Sequence, residues 1–203
     1  MKLTKLLPID KGSPQFAEET QFDFDNPKRN KKYYEKRLLE ISKVILDTPN
    51  TFIFVSGSRR NGAVIGYDKE EQFMFFVSEY HVEVPSSVGA NVTQVAVWKS
   101  RNFKYKNSSI VRDTIFDVFL TQYRNMLTDR LQTDRGMLLW RSLLEEASKR
   151  GFYVYLVNTK KKVIYSPRLD ESVEKFWDRT NHVAYGYTNK NQRYRYMISR
   201  DKW

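Results

Sequence analysis

The chain has 203 residues, 40% hydrophobic and 15% aromatic, with a formal net charge of +11; this fits a folded protein with one ample core and excludes a low-complexity chain. It contains no cysteine, which excludes disulfides, thiolate nucleophiles and cysteine-ligated zinc or iron–sulfur sites. No run approaches the ~18 apolar residues of a membrane span, and the N-terminal patch is too short for a signal peptide, so a cytoplasmic protein is expected.

In chain order, residues 2–8 predict a first strand. Residues 9–32 are polar with scattered Phe16, Phe22 and Phe24, and read as loop with one short helix. Asn26 as N-cap and Pro27 at the first helical position predict a helix. Tyr34, Leu38, Ile41 and Ile45 extend it at helical spacing until DTPN at 47–50. Residues 51–55, 63–67, 72–84 and 92–98 predict strands, the first two joined by SGSRRNG with its Asn-Gly turn signal. Together they read as an antiparallel meander, with 85–91 as a loop. Residues 109–127 predict a helix with Val111, Ile115, Val118, Phe119, Tyr123 and Met126 on one face, although IFDVFL at 115–120 is also β-prone.

The stretch from 131 to 158 is the centre of the pattern. Leu139, Trp140, Leu143, Leu144 and Ala147 share one helical face. Lys149 and Arg150 suit the negative end of the helix dipole, and Gly151 suits the left-handed position after it. Residues 152–157 then read as a strand. Beyond Asn158, TKKKVIYSPRL predicts a basic loop with a short strand at 163–165. Asp170 is expected to cap a short helix with Val173, Phe176 and Trp177 inward. Residues 183–187 and 195–199 are expected to close as a hairpin. No repeat or linker interrupts this order, so one domain over 1–203 is expected, with an N-terminal part (1–50), a meander (51–100) and a C-terminal core (109–203).

The positive charge gathers at 28–37, at Arg59 and Arg60, and at 99–106, 160–162 and 190–202. Such clusters call for a polyanion, nucleic acid included, or for an acidic partner, although a solvated basic surface reads the same way. In the tail, Arg193, Arg195 and Arg200 among tyrosines fit a clamp on single-stranded nucleic acid; half-buried tyrosines of a hairpin give the same pattern. His81 and His182 are the only histidines, so no metal site is expected.

This order of elements resembles the GNAT family of N-acetyltransferases. Residues carry the resemblance as well. Leu143-Leu144-Glu145-Glu146-Ala147 followed by Gly151 is similar to the LLEEA-x-x-x-G helix of that family, and the strand ending at Asn158 follows it. In the family loop, (R/Q)-x-x-G-x-(G/A), Gly136 matches the second small residue, Asp134 stands on the first glycine, and Leu131 holds the Arg/Gln position with Gln132 one residue late. VEKFWDRTNH at 173–182 resembles the A-x-x-FYEKLGF helix: Phe176 matches, Trp177 replaces the Tyr and Asn181 the Gly. The resemblance covers the C-terminal third well and the middle by strand order; the helix at 109–127 departs from it.

The resemblance implies an α+β or α/β fold, a GNAT-like, mostly antiparallel mixed sheet flanked by helices. It also implies acetyl-CoA as cofactor, with pyrophosphate on backbone N–H groups at a helix N-terminus. The residues at that place are Gln132, Thr133, Arg135, Gly136 and Asn158; Thr133 or Asp134 fits equally as a plain N-cap. Acetyl transfer needs a base and an acid. Glu79 and Glu83 on the long strand are the candidate bases, though solvated strand carboxylates look the same, and Tyr165 is the candidate acid. Asp134 beside a pyrophosphate and Trp177 in place of a Tyr weaken the chemistry. The expectation is a GNAT-like protein with a degenerate acyl-CoA loop, used as a non-catalytic basic binding or assembly module. Degenerate members of this kind resemble small proteins of tailed phages, which would place it in host cytoplasm or virion. An acetyl-CoA-dependent N-acetyltransferase acting on an amine acceptor and a nucleic-acid-binding protein are the alternatives.

Overall fold

The β-prone runs between 51 and 100 form strands in the computed structural model, which describes residues 3–5, 27–86, 89–100, 104, 109–128, 134–159, 163–185 and 194–203. The elements make an α+β fold with a mixed sheet. Contacts gather into two compact units. One is Met1–His81 with Val95–Thr114; the other is Val82–Gln94 with Ile115–Trp203. Strands β5 (Phe73–Ser86) and β6 (Gly89–Ser100) contribute residues to both. They run through most of the predicted 85–91 loop.

In the first unit, β2 (Ile41–Asp47), β3 (Thr51–Gly57), β4 (Asn61–Asp68) and β5 pair antiparallel in sequence, as the meander predicts. The short β1 (Leu3–Lys5) pairs antiparallel with the end of β6. Phe54, Ala63, Ile65, Met74 and Val77 make a core that Tyr33 joins from helix α1 (Pro27–Leu38). The buried Asp68 organises the β4–β5 turn. Its Oδ1 accepts from the backbone N–H groups of Glu70 and Glu71, and its Oδ2 pairs with Lys104 at 2.8 Å. The predicted helix through Ile45 stops at Leu38. The run ISKVILD is rich in β-branched residues, and pairing with β3 outweighs its helical spacing. Its side chains nonetheless remain exposed along the whole strand.

Three helical segments run without a break as α2: Ile110–Asp113, a π-helical Thr114–Phe119 and Leu120–Gln122; the chain passes from the first unit to the second within it, after Thr114. The β-prone run at 115–120 is therefore helical, as the first reading of this stretch has it. The wider π turn lets Ile115, Phe116, Val118 and Phe119 all be buried, with only Asp117 between them exposed. The helix ends at Gln122, because Asn125–Leu127 is a strand, β7, parallel to Asn91–Thr93 of β6. Then come α3 (Asp134–Lys149), β8 (Tyr153–Asn158), β9 (Val163–Tyr165), α4 (Val173–Tyr185) and β10 (Tyr194–Ser199). Strand β10 lies between β7 and β8, antiparallel to both, and β9 flanks β8.

Alternation sorts the two faces of this sheet. Leu127, Tyr155, Val157 and Met197 cluster on one. Tyr196 points to the other, where Trp177 of α4 stacks on it at 4.7 Å and Phe176 meets it edge-on at 6.2 Å. Helix α3 buries Trp140, Leu143, Leu144 and Ala147, the face predicted for it. Gly151 follows with φ +81 and open space at its Cβ position, the left-handed helix stop expected of it. Two expectations fail here. Asp170 does not cap α4; Ser172 does, accepting from the Lys175 N–H. The closing hairpin does not form, since 183–185 belong to α4 and β10 takes β7 and β8 as partners. Residues 186–187 lie outside the described residues.

Candidate functional site

Helix α1 is the most strongly charged element. Its twelve residues, PKRNKKYYEKRL, carry six Lys or Arg against one Glu, a net +5 where the whole chain has +11. At 100° per residue, Tyr33, Tyr34, Arg37 and Leu38 fall on one side and Lys31, Lys32, Glu35 and Lys36 on the other. The fold uses that division. Tyr33 is buried, and Tyr34 and Leu38 pack against the same core, with Tyr34 stacked on Tyr67 at 4.1 Å. Lys31, Lys32, Glu35 and Lys36 are exposed. Lys31 and Glu35 form one i,i+4 pair at 3.9 Å, of little energetic weight at the surface.

One basic residue of α1 turns inward, and it finds the first candidate base. Glu79, on β5, is nearly fully buried. It accepts a hydrogen bond from the Tyr33 hydroxyl at 2.6 Å and pairs with Arg37 Nη2 at 3.4 Å. The Arg37 guanidinium also lies 5.1 Å from the Tyr33 ring centroid. Burial, then the Glu79 charge, hold the Tyr33 phenol well above its ordinary pKa. Glu79 thus anchors the basic helix to the sheet.

Glu83 serves a second ion pair. It accepts from Arg195 Nη1 at 2.7 Å. Arg195 is only 1% exposed, and it donates through Nη2 to Thr93 Oγ1 at 2.7 Å and through Nε to the Thr128 carbonyl. Thr128 is clamped in turn by Tyr196, whose carbonyl accepts from the Thr128 N–H and whose N–H donates to Thr128 Oγ1. Arg195 is therefore a buried structural residue in this fold, away from any surface where a phosphate would bind. Strand β10 is buried on both faces from Arg195 to Ser199, so Arg195 is enclosed, opposite the reading that its neighbours in the tail suggest.

The other predicted residues are dispersed. Tyr165 is exposed on β9 beside Tyr194, ring centroids 6.3 Å apart, and the charge of Tyr194 raises its pKa, which makes it a weaker acid. Asn158 is buried at the end of β8, its backbone in register with Tyr194 and Val163. Arg135 and Gly136 lie in the first turn of α3. Gln132, Thr133 and Arg193 lie outside the described residues. Arg200 is exposed just after β10, in a cleft with Arg150, Gly151 and Phe152.

The outward lysines of α1 were legible as a charge cluster but not as a face. The signal is the helical period: at 100° per residue Lys31, Lys32 and Lys36 fall on one arc, and Tyr33, Tyr34 and Leu38 on the remaining one. Among the described residues, no group of three or more His, Asp and Glu is placed to hold a metal ion, and no helix is long and apolar enough to cross a membrane. Comparison with protein-family models, curated proteins and solved structures returned no match.

Proposed function

We propose that this protein is a non-catalytic binding module of GNAT-like descent that engages a polyanion, nucleic acid in the first place, through the outward face of α1. The observation that carries this reading is the division of α1: its aromatic side is locked to the sheet through Tyr33, Glu79 and Leu38, and its other side presents Lys31, Lys32 and Lys36 to solvent. Lysine ammonium groups are point charges that pair with phosphates and carry no base readout. The binding is accordingly independent of sequence and driven by counterion release.

The absence of catalysis is supported by the use of the two candidate bases. Glu79 and Glu83 each hold an arginine of the fold. Trp177 stacks on Tyr196 where the family pattern has a tyrosine.

The test is anisotropy of a labelled single-stranded oligonucleotide across a salt series, with the wild type and K31E/K32E/K36E. Loss of three lysine–phosphate contacts lowers the slope of log K against log salt by about 2, at ~0.7 per contact. No binding at low salt, or a triple variant that keeps the wild-type slope, overturns the reading. Calorimetry with acetyl-CoA tests the competing acetyltransferase: micromolar binding, with turnover on an amine acceptor, would replace this proposal.

A further inference from the structure

The register of the second unit brings three strand ends together. Asn125 of β7, Ser199 of β10 and Tyr153 of β8 lie in one row across the sheet. The residues just outside that row are Arg124, Arg200 and the Arg150–Phe152 corner, and the Arg200 N–H donates to the Arg124 carbonyl. Here an open cleft of about 310 Å³ is lined by Arg150, Gly151, Phe152 and Arg200. That is at the lower end of the ~300–1,000 Å³ typical of small-molecule sites.

The arginines of this corner are not equivalent. Arg124 pairs with Asp201 at 3.3 Å. Arg150 pairs with Glu146 at 2.9 Å, reaches Asp117 at 4.0 Å and lies 4.5 Å from the Phe116 ring centroid. These contacts fix the Arg150 guanidinium against α2 and α3. Arg200 makes no ion pair among the described residues, and it is the one that lines the cleft without a carboxylate. Gly151 leaves the floor open, since a Cβ there would meet nothing within 4 Å. Phe152 supplies a half-buried apolar wall, its ring 5.6 Å from Phe116.

We infer that this cleft binds a phosphate monoester joined through a sugar to a flat ring, the chemistry of a mononucleotide or of a phosphorylated nucleic-acid end. The Arg200 fork takes two phosphate oxygens, geometry that guanidinium matches and ammonium does not. Arg150, held by Glu146 and Asp117, orders the other wall, and the charge that meets the phosphate comes from Arg200. Phe152 receives the ring, as aromatic side chains receive bases elsewhere. The site is independent of what α1 binds, because none of its residues belongs to that helix or that unit.

The experiment is an amide NMR titration of the full chain with five probes: inorganic phosphate, adenosine, AMP, and a dinucleotide with and without a 5′-phosphate. Expected are shifts at Gly151, Phe152 and Arg200, with AMP binding at least tenfold more tightly than phosphate or adenosine. R200Q should lose at least tenfold in AMP affinity while the remaining spectrum is unchanged. F152L should bring AMP down to the level of phosphate and leave phosphate binding alone. A response to the 5′-phosphorylated dinucleotide identifies a nucleic-acid end as a ligand; a response to AMP alone identifies a mononucleotide. No shifts at this corner with millimolar AMP, or R200Q binding AMP as tightly as the wild type, overturns the inference. Because Arg200 is exposed and makes no ion pair among the described residues, R200Q tests the site without threatening the fold.

Discussion

Replacing Glu83 by Gln and Arg195 by Met, singly and together, separates a structural ion pair from a reserve of catalytic groups. Glu83 and Arg195 are 2.7 Å apart at their closest atoms, with Arg195 1% exposed and the Glu83 side chain 29% exposed. Two unit charges ~4 Å apart attract by about 4 kcal/mol at an effective dielectric of 20. The partial exposure of Glu83 lets water screen that attraction, so roughly half survives as coupling between the two sites. Glu83→Gln keeps shape and an acceptor but leaves a buried guanidinium without its counter-charge; its expected cost is about 2–3 kcal/mol. Arg195→Met removes the charge but also strips donors from Thr93 Oγ1 and the Thr128 carbonyl, at about 1–3 kcal/mol each if nothing replaces them. Once Arg195 is gone, the partly exposed Glu83 no longer balances the buried guanidinium, and changing it to Gln then costs less than about 0.5 kcal/mol. The double-mutant coupling is therefore about 2 kcal/mol. Urea unfolding of the four proteins measures it through the midpoints, provided the m-values agree. A coupling under about 0.5 kcal/mol would refute the view that Glu83 is the counter-ion of Arg195.

Three further outcomes are expected. Tyr33→Phe removes the hydrogen bond to the buried Glu79 carboxylate and should destabilise by about 2 kcal/mol in urea, as for bonds to charged groups; an unchanged midpoint would show that α1 is not anchored there. Gly151→Ala should cost about 1 kcal/mol although the space for a methyl is open, because φ +81 is unfavourable for an L-residue; a neutral or stabilising result would contradict the left-handed helix stop. The Arg179 side chain, then the Arg168 N–H, hold the Glu171 carboxyl down at about 2 from an ordinary 4.5. Its folded pKa lies below its unfolded one, so its stabilisation is present above pH 4.5 and is lost as pH falls towards 2. Arg179→Gln should raise the Glu171 midpoint in a carbon-detected NMR titration towards 4.5 and flatten the stability profile across that window; an unmoved midpoint would exclude the Arg179 pair as its cause.

Local pattern carried far along this chain where one element needs only its own residues. The Asn-Gly turn and the β-branched runs around it were enough to place β3 and β4, and the apolar stripe of Leu139, Trp140, Leu143, Leu144 and Ala147 with Gly151 after it was enough to place α3. These features rest on backbone preference and side-chain period, which are properties of short stretches. The pattern failed where two periods fit the same residues. Ile41 and Ile45 are spaced for a helix but lie in a bulged strand on β3, Ile41 opposite Ser56 and Ile45 at a bulge, and 183–187 alternate like a strand while Val183, Ala184 and Tyr185 finish α4. There, pairing with β3 at 41–47 and continuation of a packed helix at 183–185 outweighed the local pattern.

Charge and residue type, read from the sequence alone, established a basic chain free of thiol chemistry and marked the cluster at 28–37. Only the tertiary structure decided which charges are buried and which are exposed. It turned Arg37 and Arg195 inward onto Glu79 and Glu83, left Lys31, Lys32 and Lys36 facing water, and set Arg200 in a cleft beside Phe152. The reason is that a charge has no direction in a sequence. Whether it faces solvent, a counter-ion or a ligand is fixed when strands from residues a hundred apart meet, as β5 and β10 do at Glu83 and Arg195.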